Sequence, residues 1–286
     1  MQVKRFESAA ILRNAAEPFL MRHEAHHNLL LGLIGRLEHA PDFYGATPYF
    51  AAVESEGQTL AAAVMTPPHP VVVSLSESDE ALAALASDLH AFRPDATGVN
   101  SPNAAAFAEA WQRVSGESCE VALRERCYRL ERLEAPTGIP GLARPATPLD
   151  AAWLARWVIE FQREAVPWEE GAADVTEAQL RRLLALPAQA GGMFVWEVAG
   201  EPVCIAGYGN ATPNSMRIGP VYTPPEHRHR GYGSACTAAA CRFILDSGKQ
   251  FVTLFADLAN PTSNHIYREI GFEPVCDALM IRFAGR

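Results

Sequence analysis

The sequence predicts an α/β protein made of two halves that share a similar order of helices and strands. A stretch rich in proline and glycine, "EAPTGIPGLARPATP", interrupts the chain at residues 134–148 and indicates a domain boundary near residue 140. The segments after it follow the order α-α-β-β-β-α-β-α-β, and the segments before it show a fainter version of that order. We therefore predict two domains, residues 1–139 and residues 140–286.

Each element of the second half has its own local pattern. Thr147 and Asp150 have the spacing of a helix cap and its partner in "TPLDAAWLARWVIEFQRE", and apolar residues recur there at helical spacing. A second helix is predicted in "DVTEAQLRRLLAL". Strands are predicted around Arg144 and in "GGMFVWEVAG", "EPVCIAGYGN" and "SMRIGPVYT". The helix "GSACTAAACRFILDSG", the strand "QFVTLFAD", the short helix "NPTSNHIYREIGF" and the strand "PVCDALMIRF" complete this half.

The first half repeats this order with weaker signals. "RNAAEPFLMRHEAHHNLLLGLIGRL" predicts helical structure, and "TPYFAAVESEGQTLAAAVMTPPHPVVVSLS" predicts three strands. The helices "DEALAALASDLHAF" and "NAAAFAEAWQRVSG" and the closing strand "CEVALRERCYRLERL" follow. The agreement lies in the order of elements and not in residue identity, and it indicates an internal duplication.

Composition limits the partners that the chain can have. Of 286 residues, 49% are hydrophobic and 20% are charged, as in ordinary globular proteins. The net charge of −9 divides into −7 over residues 1–139 and −2 over residues 140–286, which slightly favours a cationic substrate. Because no basic face is available to neutralise phosphates, we expect no nucleic-acid partner. No apolar run approaches the ~18 residues of a membrane span, so we expect no membrane partner.

The N-terminus and the cysteines indicate the compartment. Glu7, Arg13 and Glu17 interrupt any signal-peptide core, and the six cysteines show no CxxC spacing. We therefore expect reduced thiols and a cytoplasmic protein. The sequence leaves the oligomeric state open.

The stretch "EHRHRGYGSA", residues 226–235, crowds arginines and glycines directly before a predicted helix. The first N–H groups of a helix lack intrahelical partners and carry the positive end of its dipole. Gly231 and Gly233 allow a ligand to approach the main chain, and Arg228 and Arg230 supply charge for phosphate oxygens. The loop therefore favours a pyrophosphate, although a polar surface turn would have the same composition.

Two common phosphate-binding motifs do not fit this loop, and a third does. The Walker pattern GxxxxGK[ST] is absent, and a Rossmann turn would follow its strand at once and have Gly or Ala in place of Cys236. "VYTPPEHRHRGYGSA" instead resembles the acyl-CoA-binding motif Q/R-x-x-G-x-G/A of the GNAT superfamily of N-acetyltransferases. "ANPTSNHIYREIGF" is similar to the Asn…Asn…Tyr…Gly-Phe helix of that family. The resemblance covers roughly residues 142–286.

The resemblance implies the GNAT fold, a mixed sheet whose fourth and fifth strands splay apart to admit the pantetheine arm of acetyl-CoA. It further implies direct transfer of an acetyl group from acetyl-CoA to a primary amine in a ternary complex, without a metal. Main-chain groups of the splayed strand would pair with pantetheine and stabilise the oxyanion. The residues implied to bind the cofactor are Val221, Tyr222, Thr223, Arg228, His229, Arg230, Gly231, Tyr232, Gly233, Ser234, Asn260 and Asn264.

The sequence offers one candidate for the general acid but does not identify the general base. Tyr267 is the expected general acid, because a hydroxyl beside the sulfur could protonate the departing CoA thiolate; a packing role beside Ile266 and Ile270 is the alternative. Asn260 precedes Pro261, so a helix N-cap is expected there beside any cofactor contact. The general base is left open among five carboxylates, Glu160, Glu164, Glu169, Glu170 and Glu197. The amine acceptor and the acyl length are also left open.

Two other functions remain as alternatives. "HEAHH" is a literal HExxH on a predicted helix, in which His23 and His27 would bind zinc and Glu24 would act as base. Positions 30 and 33, where the extended motif requires Gly and His, are both leucine, and His39 or a glutamate would have to be the third ligand. The second alternative is an acyl-CoA sensor that binds the cofactor without turnover.

The first half is expected to be a degenerate copy that binds no cofactor. After "HPVVVSLS" the chain continues as "ESDEALAALASDL", which has no glycine and four acidic residues. Acidic residues at a helix start stabilise the helix but repel a pyrophosphate. In place of Tyr267 this half offers Phe107 and Trp111, which have no hydroxyl.

Overall fold

The computed structural model describes residues 1–93, 95–165 and 176–284 and divides into two compact units. Unit 1 comprises Met1–Cys127 with Val275–Arg286, and unit 2 comprises Tyr128–Pro274. Within the described residues, no helix combines the length and the apolar character that a membrane crossing requires.

Among its described residues, unit 1 contains four helices, five complete strands and the larger parts of two further strands, β6 and β12. Its elements are β1 (Gln2–Arg5), α1 (Ala9–Leu20), α2 (Asn28–His39), β2 (Tyr49–Ser55), β3 (Gln58–Met65), β4 (Val71–Val73), α3 (Asp79–Phe92), β5 (Gly98–Ser101), α4 (Ala104–Ser115), β6 (Ser118–Leu130) and the C-terminal strand β12 (Glu273–Ala284). The short strands β1 and β5 were not predicted from the sequence, because each offers only four residues of pattern.

Unit 2 has the order that the local patterns predict. Its elements are β7 (Leu142–Pro145), α5 (Ala151–Ala165), α6 (Glu177–Leu184), β8 (Gly192–Val198), β9 (Glu201–Gly209), β10 (Ser215–Tyr222), α7 (Tyr232–Asp246), β11 (Phe251–Asp257) and α8 (Pro261–Glu269). The predicted cap is present before α5, where Thr147 and Asp150 form a capping box around a 3₁₀ turn. Hydrogen bonds from Arg144 hold the pKa of Asp150 at about 2, so this cap stays charged.

The strand pairing confirms the duplication. In unit 1, β1, β2, β3 and β4 pair antiparallel in sequence, and β4 pairs parallel with β5. In unit 2, β7, β8, β9 and β10 pair antiparallel in sequence, and β10 pairs parallel with β11. In each unit a helix connects the two parallel strands, as such a connection requires. The two halves therefore share one topology, a mixed sheet with helices.

The predicted boundary between residues 139 and 140 does not describe how the closing strands β6 and β12 are divided between the units. β12, expected to close the second half, pairs antiparallel with β5 of unit 1. The last three residues of β6, Tyr128–Leu130, belong to unit 2, where β6 neighbours β11. Pairing partners depend on contacts far apart in the chain, which a break in composition does not report. The assignment of catalysis to residues 140–286 stays a prediction.

The core of unit 2 explains how α7 is held. Along β8 and β9 the side chains alternate between two hydrophobic clusters, with Phe194 and Cys204 on the α7 side and Val195 and Ile205 on the α5 side. On α7, small residues meet the sheet, and Cys236, Ala240 and Cys241 are fully buried. Their size lets the helix lie close to the strands, which fixes the position of its N-terminus.

Candidate functional site

The parallel strands β10 and β11 of unit 2 stop pairing partway along their length. They pair only from Ser215 to Arg217 on β10 and from Phe251 to Thr253 on β11. β10 continues alongside β9 to Tyr222 after a register shift between Ile218 and Val221, and β11 continues to Asp257. One edge of β10 therefore has no pairing with β11 beyond Arg217. This is the irregular fourth strand that the resemblance implies.

The loop between β10 and α7 presents main-chain N–H groups at the start of the helix. Gly231 is the N-cap residue with a φ of 79°, and an added Cβ would lie 2.8 Å from Ile139 Cδ1, so glycine is required there. Among the described residues, no side chain caps α7, and the first helical bond is from Ala235 N to Gly231 O, 3.0 Å. At Gly233, an added Cβ would meet only Thr223 Oγ1, at 3.7 Å. The N–H groups of residues 232–234 are thus open to a ligand.

The two arginines of the loop have different environments. Arg228 Nε donates to the carbonyl of Thr223 at 2.9 Å, and its Nη2 donates to both carboxylate oxygens of Glu164 at 2.8 and 2.9 Å. In the described part of the chain, Arg230 makes no ion pair or hydrogen bond, and it is exposed. His229, which lies between the two arginines, is exposed and has a φ of 61°. A pyrophosphate at this helix would therefore find Arg230 available and Arg228 already engaged.

The end of β10 contacts α5 through Tyr222. This tyrosine is buried, its ring lies 6.1 Å from that of Trp157, and its hydroxyl donates to Glu160 Oε2 at 3.0 Å. Burial, reinforced by Glu160, raises the pKa of Tyr222 to about 12. Thr223 follows, and its hydroxyl donates to Cys204 Sγ at 3.2 Å. The side chains at this strand end are thus used internally, and its main chain is what remains for a ligand.

Helix α8 carries the second predicted motif. Asn260 caps it, as expected, by accepting from Ser263 N at 3.0 Å. Asn264 donates from Nδ2 to the carbonyls of Asp257 and Asn260, both at 2.7 Å, and accepts from the hydroxyl of Tyr128 at 2.7 Å. Asn264 therefore ties α8 to β11 and β6, and its contact with a cofactor stays a prediction. Tyr128 was not identified from the sequence, because it lies 136 residues from its partner.

Tyr267 lies on α8 and packs against the α7 side of the core. Its ring is 5.9 Å from that of Phe272 and 6.5 Å from that of Tyr128. Burial, with smaller contributions from Cys204 and Cys241, raises the pKa of Tyr267 well above its usual value. In the described residues its hydroxyl has no hydrogen-bond partner. The group is a phenol that stays protonated and has a free donor.

The structure separates the candidate bases. Glu197 accepts from Arg144 Nε at 2.7 Å and belongs to the network that caps α5. Glu164 is paired with Arg228. Glu160 is exposed on α5 and accepts only the hydroxyl of Tyr222 among the described residues. Glu169 and Glu170 lie outside the described residues.

The HExxH segment does not form the helix that a zinc hydrolase motif requires. Met21–His23 are a 3₁₀ turn, and α2 begins only at Asn28. Both ring nitrogens of His27 bind main chain: Nδ1 lies 2.8 Å from Leu20 O, and Nε2 accepts from Leu75 N at 3.0 Å. Burial lowers the pKa of His27 to about 4, so the ring is neutral. Among residues 1–93, 95–165 and 176–284, no group of three His, Cys, Asp or Glu side chains could hold a metal. The prediction that HExxH lies on a helix is therefore wrong. Main-chain groups of Leu20 and Leu75 bind the imidazole ring of His27 instead.

Comparisons with known proteins agree with this geometry. Residues 153–272 match the model of the acetyltransferase (GNAT) family. No curated protein sequence matches the chain significantly.

Solved structures with a similar fold cover nearly the whole chain. A Drosophila protein from a structural genomics consortium has a TM-score of 0.69 at 14% identity, over 99% of this chain and 98% of its own. A GCN5-related N-acetyltransferase from Sphaerobacter thermophilus has a TM-score of 0.60 at 16% identity, over 98% and 95%. A tandem GNAT protein from the clavulanic acid biosynthesis pathway has a TM-score of 0.56 at 14% identity, over 100% and 99%. At these identities the likeness concerns the fold, here two GNAT-like units in tandem.

Proposed function

We propose that the protein transfers an acetyl group from acetyl-CoA to a primary amine, since residues 153–272 match the model of the acetyltransferase (GNAT) family. The amine attacks the thioester directly, within a ternary complex. The observation that carries the proposal is the uncapped N-terminus of α7 beside the unpaired end of β10.

The start of α7 would hold the pyrophosphate of CoA. The N–H groups of Tyr232, Gly233 and Ser234 provide donors at the positive end of a fifteen-residue helix. Arg230 adds an exposed full charge, and a phosphate oxygen near it would be bound by a charge-assisted hydrogen bond. Arg228 supports the loop instead through its bond to the Thr223 carbonyl, and its pair with Glu164 keeps the guanidinium away from a phosphate.

The free edge of β10 would bind the pantetheine arm. Val221 and Tyr222 use one edge to pair with Ala206 and Ile205 of β9, so their opposite edge is free of strand pairing. Pantetheine amides can extend a sheet edge as an added strand does, through main-chain hydrogen bonds. A main-chain N–H at this edge is also the donor for the oxyanion that forms when the amine attacks.

Tyr267 would be the general acid. The departing CoA thiolate is the conjugate base of a thiol with a pKa of about 8.5, and the half-buried phenol of Tyr267 would be the proton source beside it. Because the pKa of Tyr267 is raised, the hydroxyl is protonated at neutral pH. Its proton passes to sulfur as the carbon–sulfur bond breaks.

Glu160 would be the general base. It is an exposed carboxylate near the end of β10, and the hydroxyl of Tyr222 fixes one of its oxygens and leaves the other free. The acceptor arrives as an ammonium ion, and Glu160 takes its proton so that the nitrogen lone pair can form the new bond to the carbonyl carbon.

A two-stage measurement tests the proposal. Calorimetry with CoA measures binding, and a thiol-release assay against an amine library measures turnover. Binding with turnover on at least one amine is expected. Binding without turnover would indicate the sensor and contradict catalysis, and no binding would contradict both.

A variant pair tests the base. Glu160→Gln should lower kcat by roughly 10²–10⁴-fold, the usual contribution of one acid or base, with CoA affinity unchanged. Glu201→Gln, at an exposed position of the same unit, is the matched control and should match the wild type. Wild-type kcat in Glu160→Gln would assign the base elsewhere.

A further inference from the structure

Two cysteines of unit 1 lie opposite each other on neighbouring strands, β6 and β12. Arg126 Nε and Nη2 donate to Asp277 at 2.6 and 2.9 Å, and Arg282 lies 3.6 Å from Glu120. As the numbers rise along β6 they fall along β12, so the strands are antiparallel. Cys127 and Cys276 occupy the positions next to the Arg126–Asp277 pair, which makes them neighbours across the strands.

The two thiols are neighbours across the strands. Hydrogen bonding with Cys127 lowers the pKa of the Cys276 thiol, although burial and Asp277 oppose this shift. Cys127 is fully buried, its sulfur accepts from Asn28 Nδ2 at 3.4 Å, and it lies 3.5 Å from the carbonyl of Ala25. Cys276 is half-buried. Cys276 is thus partly accessible to solvent, whereas Cys127 is not.

We propose that Cys127 and Cys276 form a dithiol that hydrogen peroxide oxidises reversibly to a disulfide. The Cys276 thiolate attacks one peroxide oxygen, the O–O bond breaks, and Cys276 becomes a sulfenic acid while the other oxygen leaves and is protonated to water. The Cys127 sulfur then attacks the Cys276 sulfur and displaces the hydroxyl, which leaves as a second water with the Cys127 proton. Two thiols and one peroxide give one disulfide and two waters, so sulfur is oxidised and peroxide is reduced.

Cross-strand geometry suits a reversible bond. Residues directly opposite on antiparallel strands have Cβ atoms about 4.5–5.5 Å apart. A disulfide prefers a Cβ separation of about 3.5–4.5 Å, so the strands must close slightly when the bond forms. The resulting strain makes the bond easier to reduce than a structural disulfide.

The position of the pair gives the bond a structural consequence. The chain leaves unit 1 after Cys127 and returns to it at Val275. A bond between Cys127 and Cys276 would therefore enclose residues 128–275, which include all of unit 2, in one covalent loop. Closing a loop of this length restricts the unfolded chain and stabilises the folded state.

Unit 2 contains a matched control pair. Cys236 Sγ lies 4.0 Å from the carbonyl oxygen of Cys204, so these two cysteines are also neighbours, but both are fully buried. Burial raises the pKa of the Cys236 thiol, so this group lacks thiolate character, and neither cysteine of the pair is accessible to solvent. It should resist peroxide under conditions that oxidise the first pair.

The experiment treats the full chain with hydrogen peroxide, alkylates the remaining thiols and maps the peptides by mass spectrometry without reduction. A peptide pair joining Cys127 and Cys276, absent after treatment with dithiothreitol, is expected, with Cys204 and Cys236 alkylated only after unfolding. The midpoint of thermal unfolding should rise on oxidation of the wild type and of Cys204→Ser. It should not rise in Cys276→Ser, nor in Cys276→Ala if the serine variant folds poorly. Irreversible oxidation of Cys276 without a linked peptide, or bonding of Cys276 to another cysteine, would overturn the proposal.

Discussion

Helices α3 and α7 occupy the same place in the two units, between the parallel strands, but their N-termini are chemically opposite. At α3, the Ser78 hydroxyl accepts from Ala81 N at 3.1 Å, and Asp79 and Glu80 occupy the first turn. At α7, Gly231 offers no cap and the first turn has no acidic residue. One helix start is satisfied and negative, and the other is open and positive.

The strand ends before these helices also differ in whether their main-chain groups already have hydrogen-bond partners. After β4, the N–H of Leu75 donates to His27 Nε2, and the N–H of Ser76 donates to Asn103 Oδ1 at 2.9 Å. The edge of β10 that faces β11 has no strand partner beyond Arg217 among the residues that the structure describes. In unit 1, side chains thus occupy main-chain groups in the region where the proposed pantetheine site lies in unit 2.

This comparison teaches that one topology can keep or lose a ligand site through local hydrogen bonds alone. The pairing of the strands is the same in both units. Cofactor capacity depends on whether backbone N–H groups remain without protein partners, because a ligand must otherwise displace an existing bond. We therefore expect CoA at unit 2 and none at unit 1.

The largest effect should come from α8, whose counterpart α4 offers only Phe107 and Trp111, both fully buried. Tyr267→Phe should lower kcat by roughly 10²–10⁴-fold, the usual contribution of one acid. Cofactor affinity should change little, because the hydroxyl acts on charge that develops late in the reaction. Steady-state kinetics measures the first and calorimetry the second. A Phe variant with wild-type kcat would make Tyr267 a packing residue.

A valine at the second position of α7 and of α3 tests whether only the start of α7 binds CoA. Gly233→Val should weaken CoA binding roughly 10–100-fold, because the added side chain would occupy the space proposed for the pyrophosphate, at a cost of about 1–3 kcal/mol. Glu80→Val, at the matching exposed position of α3, should leave CoA affinity at the wild-type value. Titration calorimetry measures both, with circular dichroism to check folding. Equal loss in the two variants would break the assignment of CoA to unit 2.

The smallest effect concerns the ion pair at the loop. Glu164→Gln removes a bidentate but exposed partner of Arg228, and such pairs are worth about 0.2–1 kcal/mol. The guanidinium becomes free to turn toward phosphate, so CoA affinity should rise roughly two- to fivefold at low salt.

Measuring the Glu164→Gln affinity at two salt concentrations separates charge from packing. The gain should shrink as salt is raised. A loss of affinity instead would show that the pair holds the loop in its binding form.

Much of the fold follows from local patterns. The capping box of Thr147 and Asp150 and the N-cap Asn260 were predicted within a few residues of their positions. These features are decided by neighbours in sequence, through side chains that bind the adjacent turn. The histidines before α2 were misjudged, because His27 is held by Leu20 and by Leu75, which is 48 residues away.

The sequence alone determined the duplicated order of elements, the glycine-rich start of α7 and the tyrosine on α8, because periodicity and short motifs carry that information. Only the tertiary structure decided which arginine of the loop is free, since Glu164 lies 64 residues from Arg228. It likewise decided which strand closes each unit and that Cys127 meets Cys276. Each of these outcomes depends on packing between segments that are distant in sequence. The free energy of such a contact depends on both residues that form it, so the local sequence around one of them does not predict it.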